Sequence, residues 1–510
     1  VASRRWPLPA ELLVAAGAGA LHALSFARLE LGWLQLACVV VLAWRVGASA
    51  APGRAALLGG AFSTAWLLGG TWWLFISLHR YGGMPAWLAA LAVVLLCALL
   101  SLYLAVGVAA WARWRSGRPG ADALLFAAVW LLAELARGVI FTGFPWAAAG
   151  YAHTDGTLAA LAPWIGVYGI GAVAAGMAAL LAAALRAQGA GRWLPAAGAL
   201  ALWWLPLALP QHFTQPTGRI DVALIQGNVP QEEKFEPAHQ PEALAWTLRT
   251  LVQAQAELVV APETAIPLLP AQMPEGLWDG LRAEFARGER AALIGLPLGG
   301  FDTGYTNSVA GFSAAAAAQP GGFYRYDKHH LVPFGEFIPP GFRWFVDMMR
   351  MPLGDFARGP LDAPSFVVEG ERIAPNICYE DLFGEELAAR FRDPASAPTI
   401  FANVSNIAWF GESVAIFQHL QISRMRTLEL QRPMIRATNT GATAVVDHRG
   451  VVTERLAPHT RGVLHASVEG RSGLTPFVRW AARWGLAPLA LLAAATVAAS
   501  VWRARQAQRT

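Results

Sequence analysis

With 510 residues, 55% of them hydrophobic and only 14% charged, and a mean hydropathy of +0.40, this chain is too apolar for an ordinary soluble globular protein. Its formal net charge of +5 is unevenly divided: residues 211–477 hold 22 Lys and Arg against 29 Asp and Glu, and the remainder holds 17 against 5. The basic excess belongs to the apolar part, which excludes a nucleic-acid surface as its explanation.

A membrane span needs roughly 20 apolar residues to cross about 30 Å of hydrocarbon. Seven such stretches precede residue 211, at about 8–26, 29–46, 55–78, 84–112, 121–140, 157–185 and 193–210, and an eighth runs from about 478 to 502. The first lacks a signal-peptide cleavage pattern and is followed at once by another, so it is expected to be retained. With the N-terminus cytoplasmic, twelve arginines fall on the cytoplasmic side and five on the other. That asymmetry predicts a multi-pass protein with both termini cytoplasmic and residues 211–477 outside. Glu134 and Arg137 lie three apart in the fifth stretch, where an i,i+3 pair bracing the turn Gly143–Trp146 is expected.

From Gln211 the text changes to short apolar runs alternating with polar helical patterns. Strands are expected at Ile220–Gln226, Leu258–Pro262, Ala292–Leu296, Asn307–Phe312, Ser365–Val368, Ile373–Cys378, Thr399–Val404, Ile435–Thr438 and Ala442–Val446. Helices are expected at Pro241–Gln255, Gly276–Arg287, Gly384–Phe391 and Val414–Leu430. This is one α/β domain with a buried sheet. The predicted division is 1–210 membrane region, 211–477 soluble domain, and 478–510 a last span with its tail.

Three residues in that domain form a plausible catalytic set. Cys378, the one cysteine between 211 and 477, ends an apolar strand, as does Glu263 in Ala261-Pro262-Glu263-Thr264. Lys328, one of only two lysines in the chain, lies in Tyr326-Asp327-Lys328-His329-His330-Leu331-Val332-Pro333-Phe334-Gly335-Glu336. Open α/β folds place reactive groups outside strand ends. A thiol near pKa 8.5 needs a base or cation to act as a nucleophile. Glu263 can take its proton. Lys328 and the Tyr379 N–H can stabilise an oxyanion, and Glu336 can orient Lys328. Singly, each has a blander reading, the cysteine as a small core hydrophobe and the charges as solvated surface groups. A metal site at His329 and His330 is not expected, since no Cys or carboxylate lies beside them at ligand spacing, and no cofactor is called for.

Together these motifs resemble the Glu-Lys-Cys triad of the nitrilase superfamily. The arrangement of spans and the runs Gly143-Phe144-Pro145-Trp146, Val404-Ser405-Asn406, Ala408-Trp409-Phe410-Gly411 and Gln418-His419-Leu420-Gln421 resemble, more narrowly, the apolipoprotein N-acyltransferase family. The resemblance implies an α-β-β-α nitrilase-like sandwich on a bundle of about eight transmembrane helices, in the inner membrane of a Gram-negative bacterium with its catalytic domain in the periplasm. It implies transfer of the sn-1 acyl chain of a phospholipid, typically phosphatidylethanolamine, through a Cys378 thioester to the α-amino group of a diacylated apolipoprotein. In that scheme Glu263 is base, Lys328 oxyanion stabiliser and Cys378 nucleophile. Glu336, Tyr379, Glu380, Asn307 and Trp409 support or line the site, and a monomer is expected. Ile407 departs from the family pattern, which has Asp there.

The segment Phe342–Met351 is apolar and methionine-rich, and Phe342, Trp344 and Met348 are candidates for a lipid path beside the site. A membrane-tethered amidase would use the same triad with water as the second acceptor. A transporter or scaffold fits less well, because the spans carry almost no charge beyond Glu134 and Arg137.

Overall fold

The computed structural model describes residues 6–27, 31–48, 51–234, 236–300, 302, 304–339, 341–344 and 355–508. They form two compact units. The first, comprising residues 1–75, 85–212 and 484–510, is helical; the second, comprising 76–84 and 213–483, is α/β.

In the helical unit each of the eight apolar stretches contains a helix. Among the described residues four segments have the length and hydropathy of a complete span: Ala86–Trp114, Pro119–Thr142, Thr157–Arg186 and Ala487–Ala507. There are five if Pro52–Thr71 is counted with the short helix after it. Leu8–Ala23 and Gly32–Gly47 have 16 residues each, about 24 Å at 1.5 Å per residue. Trp193–Trp204 has 12. Two buried acidic residues in this unit have basic partners. Arg137 Nη1 donates to the carbonyls of Phe144 and Trp146 (2.7 Å each), and Glu134 Oε1 accepts from the Ala149 N–H (2.7 Å). The pair thus braces the Gly143–Trp146 turn from buried positions, as its spacing predicts. Glu11, also buried, accepts from Arg45 and Arg54.

The α/β unit holds two six-stranded sheets. The strands are β1 Thr214–Gln226, β2 Leu258–Ala261, β3 Ala291–Gly300, β4 Gly304–Phe312, β5 Tyr324–Asp327, β6 Phe366–Val368, β7 Glu371–Ile377, β8 Ile400–Ser405, β9 Met434–Thr438, β10 Ala444–Val446, β11 Val452–Arg455 and β12 Gly462–Gly473. Their orders are β12-β1-β2-β3-β4-β5 and β11-β10-β9-β8-β7-β6. β1, β2 and β3 run parallel to one another, as do β7, β8 and β9, while the flanking pairings are antiparallel; the inner faces of the two sheets meet. Val222, Leu224, Val260 and Leu293 of one sheet pack with Ile373, Ile377, Ala402, Val404 and Ile435 of the other. The alternate residues Ala223, Val259, Ala292 and Ile294 face helices Gln240–Gln253 and Leu277–Phe285. Ala374, Phe401 and Met434 face Gly384–Ala389, Ala415–Leu430 and Pro476–Trp484. Strands apolar on both faces are what a sheet covered on both sides requires. The result is the four-layer α-β-β-α sandwich.

The apolar stretch that begins at about 478 is two helices. Pro476–Trp484 belongs to the α/β unit, burying Phe477, Val478, Ala481 and Ala482 while Arg479 and Arg483 face outward. The long helix starts only at Ala487.

Candidate active site

The second strand delivers Glu263. β2 ends at Ala261, and the chain turns through Pro262, Glu263 and a left-handed Thr264 (φ +48°) against β3. The close approach demands Gly295: a Cβ there would lie 2.3 Å from the Pro262 carbonyl oxygen and 2.7 Å from the Glu263 Cα. Asn307, early in β4, accepts the Lys328 N–H at its own carbonyl (2.9 Å), fixing where the chain leaves β5. Its side-chain Nδ2 donates to Glu263 Oε1 (2.7 Å) and Glu336 Oε1 (2.6 Å). Both partners only accept, which fixes the amide orientation.

Lys328 is fully buried, with Nζ 2.8 Å from Glu336 Oε1 and 3.5 Å from Glu263 Oε1. Burial opposes its charge, but the two carboxylates outweigh burial and hold the ammonium above the ordinary lysine range. Glu336 is held at its other oxygen by the Val332 N–H (2.8 Å), and Glu263 Oε2 by the Asn406 N–H (2.8 Å), just beyond β8. Residues from both sheets therefore converge on one carboxylate.

Cys378 follows β7 in the left-handed region (φ +51°) and opens a short 3-10 turn to Leu382. It is partly open to solvent. Burial, then Glu263, push its thiol well above the ordinary range; Lys328 opposes them and Glu336 adds to them. The resting group is a thiol, within the fields of all three charged neighbours.

Glu380 ties this turn to the lysine strand. Its Oε2 accepts from the Ile377 N–H (2.6 Å) and the Tyr326 hydroxyl (2.8 Å), and its Oε1 from the N–H groups of His329 (2.7 Å) and His330 (3.2 Å). Burial raises its pKa, and Lys328 with these donors opposes the rise. Glu380→Gln turns an amide donor toward backbone donors, and should lower stability by about 3 kcal/mol. Urea unfolding, with an unchanged slope, checks this.

Tyr379 is buried, its ring 5.3 Å from Phe383 and 5.7 Å from His330. Trp409 is half-buried and meets Tyr81 edge-on at 5.8 Å. Phe342 is exposed and edge-on to Phe334 (5.4 Å), and Trp344 is exposed; Met348 lies outside the described residues. Each histidine after Lys328 has a protein partner: His329 Nδ1 lies 2.8 Å from the Gly359 carbonyl oxygen and His330 Nδ1 2.9 Å from Glu386. Ile407, which replaces the expected Asp, is buried in an apolar cluster with Ile416, Leu420 and Ala442.

Sequence reasoning missed Lys234. It ends the short helix Gln231–Lys234, is buried, and donates to the Glu263 carbonyl (3.0 Å). Its rarity was the available signal, but a solvated face is the ordinary fate of a lysine after two glutamates. Burial depresses its pKa to about 8, with Glu263 and Cys378 opposing. Between that value and the ordinary 10.5 the unfolded chain binds a proton that the native chain does not. The lysine's contribution to stability therefore falls as pH drops through this window. The melting temperature of Lys234→Met relative to wild type should rise from pH 10.5 to pH 7.5; calorimetry at both values checks it.

Residues 18–180 match the family described as apolipoprotein N-acyltransferase N-terminal domain, and residues 221–476 the carbon-nitrogen hydrolase family. An apolipoprotein N-acyltransferase of Verminephrobacter eiseniae is 53% identical over 95% of this chain and 94% of its own. One from Ralstonia nicotianae is 49% identical over 94% and 92%. Among solved structures, the Caenorhabditis elegans NitFhit protein matches with a TM-score of 0.38 at 16% identity, over 52% of this chain and 63% of its own. A Helicobacter pylori carbon-nitrogen hydrolase matches with a TM-score of 0.36 at 15% identity, over 53% and 94%.

Proposed function

We propose, from the premise that this chain belongs to the apolipoprotein N-acyltransferase family, a two-step acyl transfer centred on Cys378. Glu263 takes the thiol proton as the sulfur attacks the sn-1 ester carbonyl of a phospholipid, phosphatidylethanolamine in our reading. Lys328 Nζ and the Tyr379 N–H hold the oxyanion. Its collapse breaks the ester C–O bond, Glu263 returns the proton to the departing glycerol oxygen, and lysophospholipid leaves a thioester behind. The neutral α-amino group of a diacylated apolipoprotein then attacks the thioester, giving up a proton to Glu263, and the amide forms as the thiolate departs and is reprotonated.

The observation that carries these roles is the buried lysine held between Glu336 and Glu263, in the field of the α/β unit's single thiol. A thiol that is protonated at rest suits an enzyme whose base acts only once an acyl donor is in place. Glu336 and Asn307 orient Lys328 and Glu263, Glu380 fixes the turn at Cys378, and Trp409 lines the site. Phe342, Trp344 and Met348 guide acyl chains. Both substrates keep their chains in the bilayer, and extracting them would cost about 0.8 kcal/mol per exposed CH₂. We accordingly place a monomer in the inner membrane, residues 1–210 and the helix Ala487–Ala507 forming its membrane region, both termini cytoplasmic and the catalytic unit periplasmic.

The test is a single turnover in detergent with phosphatidylethanolamine labelled in its sn-1 chain. A hydroxylamine-sensitive protein label that moves to an added diacylated lipopeptide is expected. Label that drains to free fatty acid despite the lipopeptide would make the protein a hydrolase, and no protein label would remove the thioester.

A further inference from the structure

The carbonyl of Cys378 is gripped from below by a buried polar cluster that no step above uses. His419, on helix Ala415–Leu430, has Nε2 3.1 Å from the Cys378 carbonyl oxygen and 2.9 Å from Asp381 Oδ1. Its Nδ1 lies 2.8 Å from Arg436 Nη2, on β9. A guanidinium can only donate, so Nδ1 accepts and the proton of the ring sits on Nε2, aimed at the Cys378 carbonyl with the Asp381 carboxylate beside it. Asp381 Oδ2 accepts from Arg436 Nη1 (3.2 Å) and from the Ser423 hydroxyl. Asn403 Nδ2, on β8, gives the same carbonyl a second donor at 3.3 Å. His419, Asp381, Ser423, Arg436 and Asn403 are all fully buried.

A buried ion pair with a histidine between its partners is expensive to assemble unless every member is satisfied. Here three separate elements supply it, and His419, beside Asn403, turns its hydrogen bond to a backbone oxygen of the nucleophile's own peptide. That peptide is the link between Cys378 and Tyr379. In a planar trans amide the C=O and N–H point in opposite directions. Holding the carbonyl from below therefore fixes the direction of the Tyr379 N–H on the other side. Hydrogen bonds to the oxygen also polarise the amide and strengthen its N–H as a donor.

We infer that His419 is a positioning residue for the oxyanion site: with Asn403 it sets the orientation and donor strength of the Cys378–Tyr379 peptide, and Asp381 and Arg436 fix its tautomer. The inference rests on the acyl-enzyme reading above. It separates two reactions of one thiol. Acylation by an ester passes through an oxyanion, whereas alkylation by iodoacetamide displaces iodide and needs none.

The experiment compares, on the full-length protein in detergent, the single-turnover rate of Cys378 acylation by phosphatidylethanolamine with its rate of alkylation by iodoacetamide. His419→Phe should slow acylation about 100-fold, the scale for losing one oxyanion donor, with the KM for phospholipid and the alkylation rate within about threefold of wild type. His419→Gln, whose amide can replace the Nε2 donor, should recover most of the loss. Asn403→Leu should show the same split with a smaller effect, and carries the comparison if His419→Phe does not fold. Acylation at the wild-type rate, or acylation and alkylation falling in proportion, would overturn the inference. A wild type that alkylates but never acylates would overturn the acyl-enzyme reading and this inference with it.

Discussion

Cys378→Ala should abolish the hydroxylamine-sensitive label and lower transfer to a lipopeptide by at least about 10⁴-fold, because no other group in the site can form the intermediate. Cys38 and Cys97 are buried in the helical unit, so they offer no substitute thiol. The intact thiol should show its own signature. Burial and the carboxylates of Glu263 and Glu336 raise it against the pull of Lys328. The thiolate fraction then falls about tenfold for each pH unit below the pKa. Iodoacetamide should react slowly at pH 7 and about tenfold faster per unit through pH 9, with no plateau. A plateau below pH 8 would show a resting thiolate.

Lys328→Met should be nearly as damaging, and for two separable reasons. It removes a cation from the oxyanion site, a loss of about 10²–10³ in rate. It also leaves Glu263 and Glu336 facing one another, joined only through Asn307 Nδ2. Breaking a buried pair on one side costs about 3–5 kcal/mol. The double variant Lys328→Met/Glu336→Gln removes one of the two facing carboxylates and should regain much of that stability without regaining activity. Denaturant unfolding beside single-turnover acylation tests the separation; stability losses that simply add would contradict the coupling.

Much of this was legible beforehand for a simple physical reason. The central parallel strands are buried on both faces, so Leu258–Ala261 reads as an unbroken apolar run and Ile373–Ile377 as one interrupted only at Asn376, and the residues that end such runs stand out. Of the edge strands only β6, expected at Ser365–Val368, did. β12 alternates Leu464 and Ala466 with exposed polar residues, β11 is largely exposed, and β5 has only four residues. Lys234, His419 and Arg436 escaped for another reason. Their significance is a matter of what they touch across the sandwich, and neither periodicity nor spacing encodes a contact between a helix and the far side of a strand. The helix at Pro476–Trp484 merges with the following span in the sequence because its Phe, Val, Trp and Ala residues continue into the apolar text and Arg479 and Arg483 read as charges at a span end.

The pairing of β1 with β12, from Thr214 opposite Gly473 to Gln226 opposite Gly462, joins the first strand of the α/β unit to its last. On the ribosome, β1 therefore emerges with one edge unpaired and waits for nearly the whole domain to be synthesised before that edge is closed. Non-local closure of this kind is slow, and an open edge is a template for wrong partners. The nascent α/β unit should be most vulnerable to proteases and to aggregation in the interval before Gly462–Gly473 appears. Chains arrested short of Gly462 should be degraded, whereas chains arrested past the final hydrophobic helix should persist.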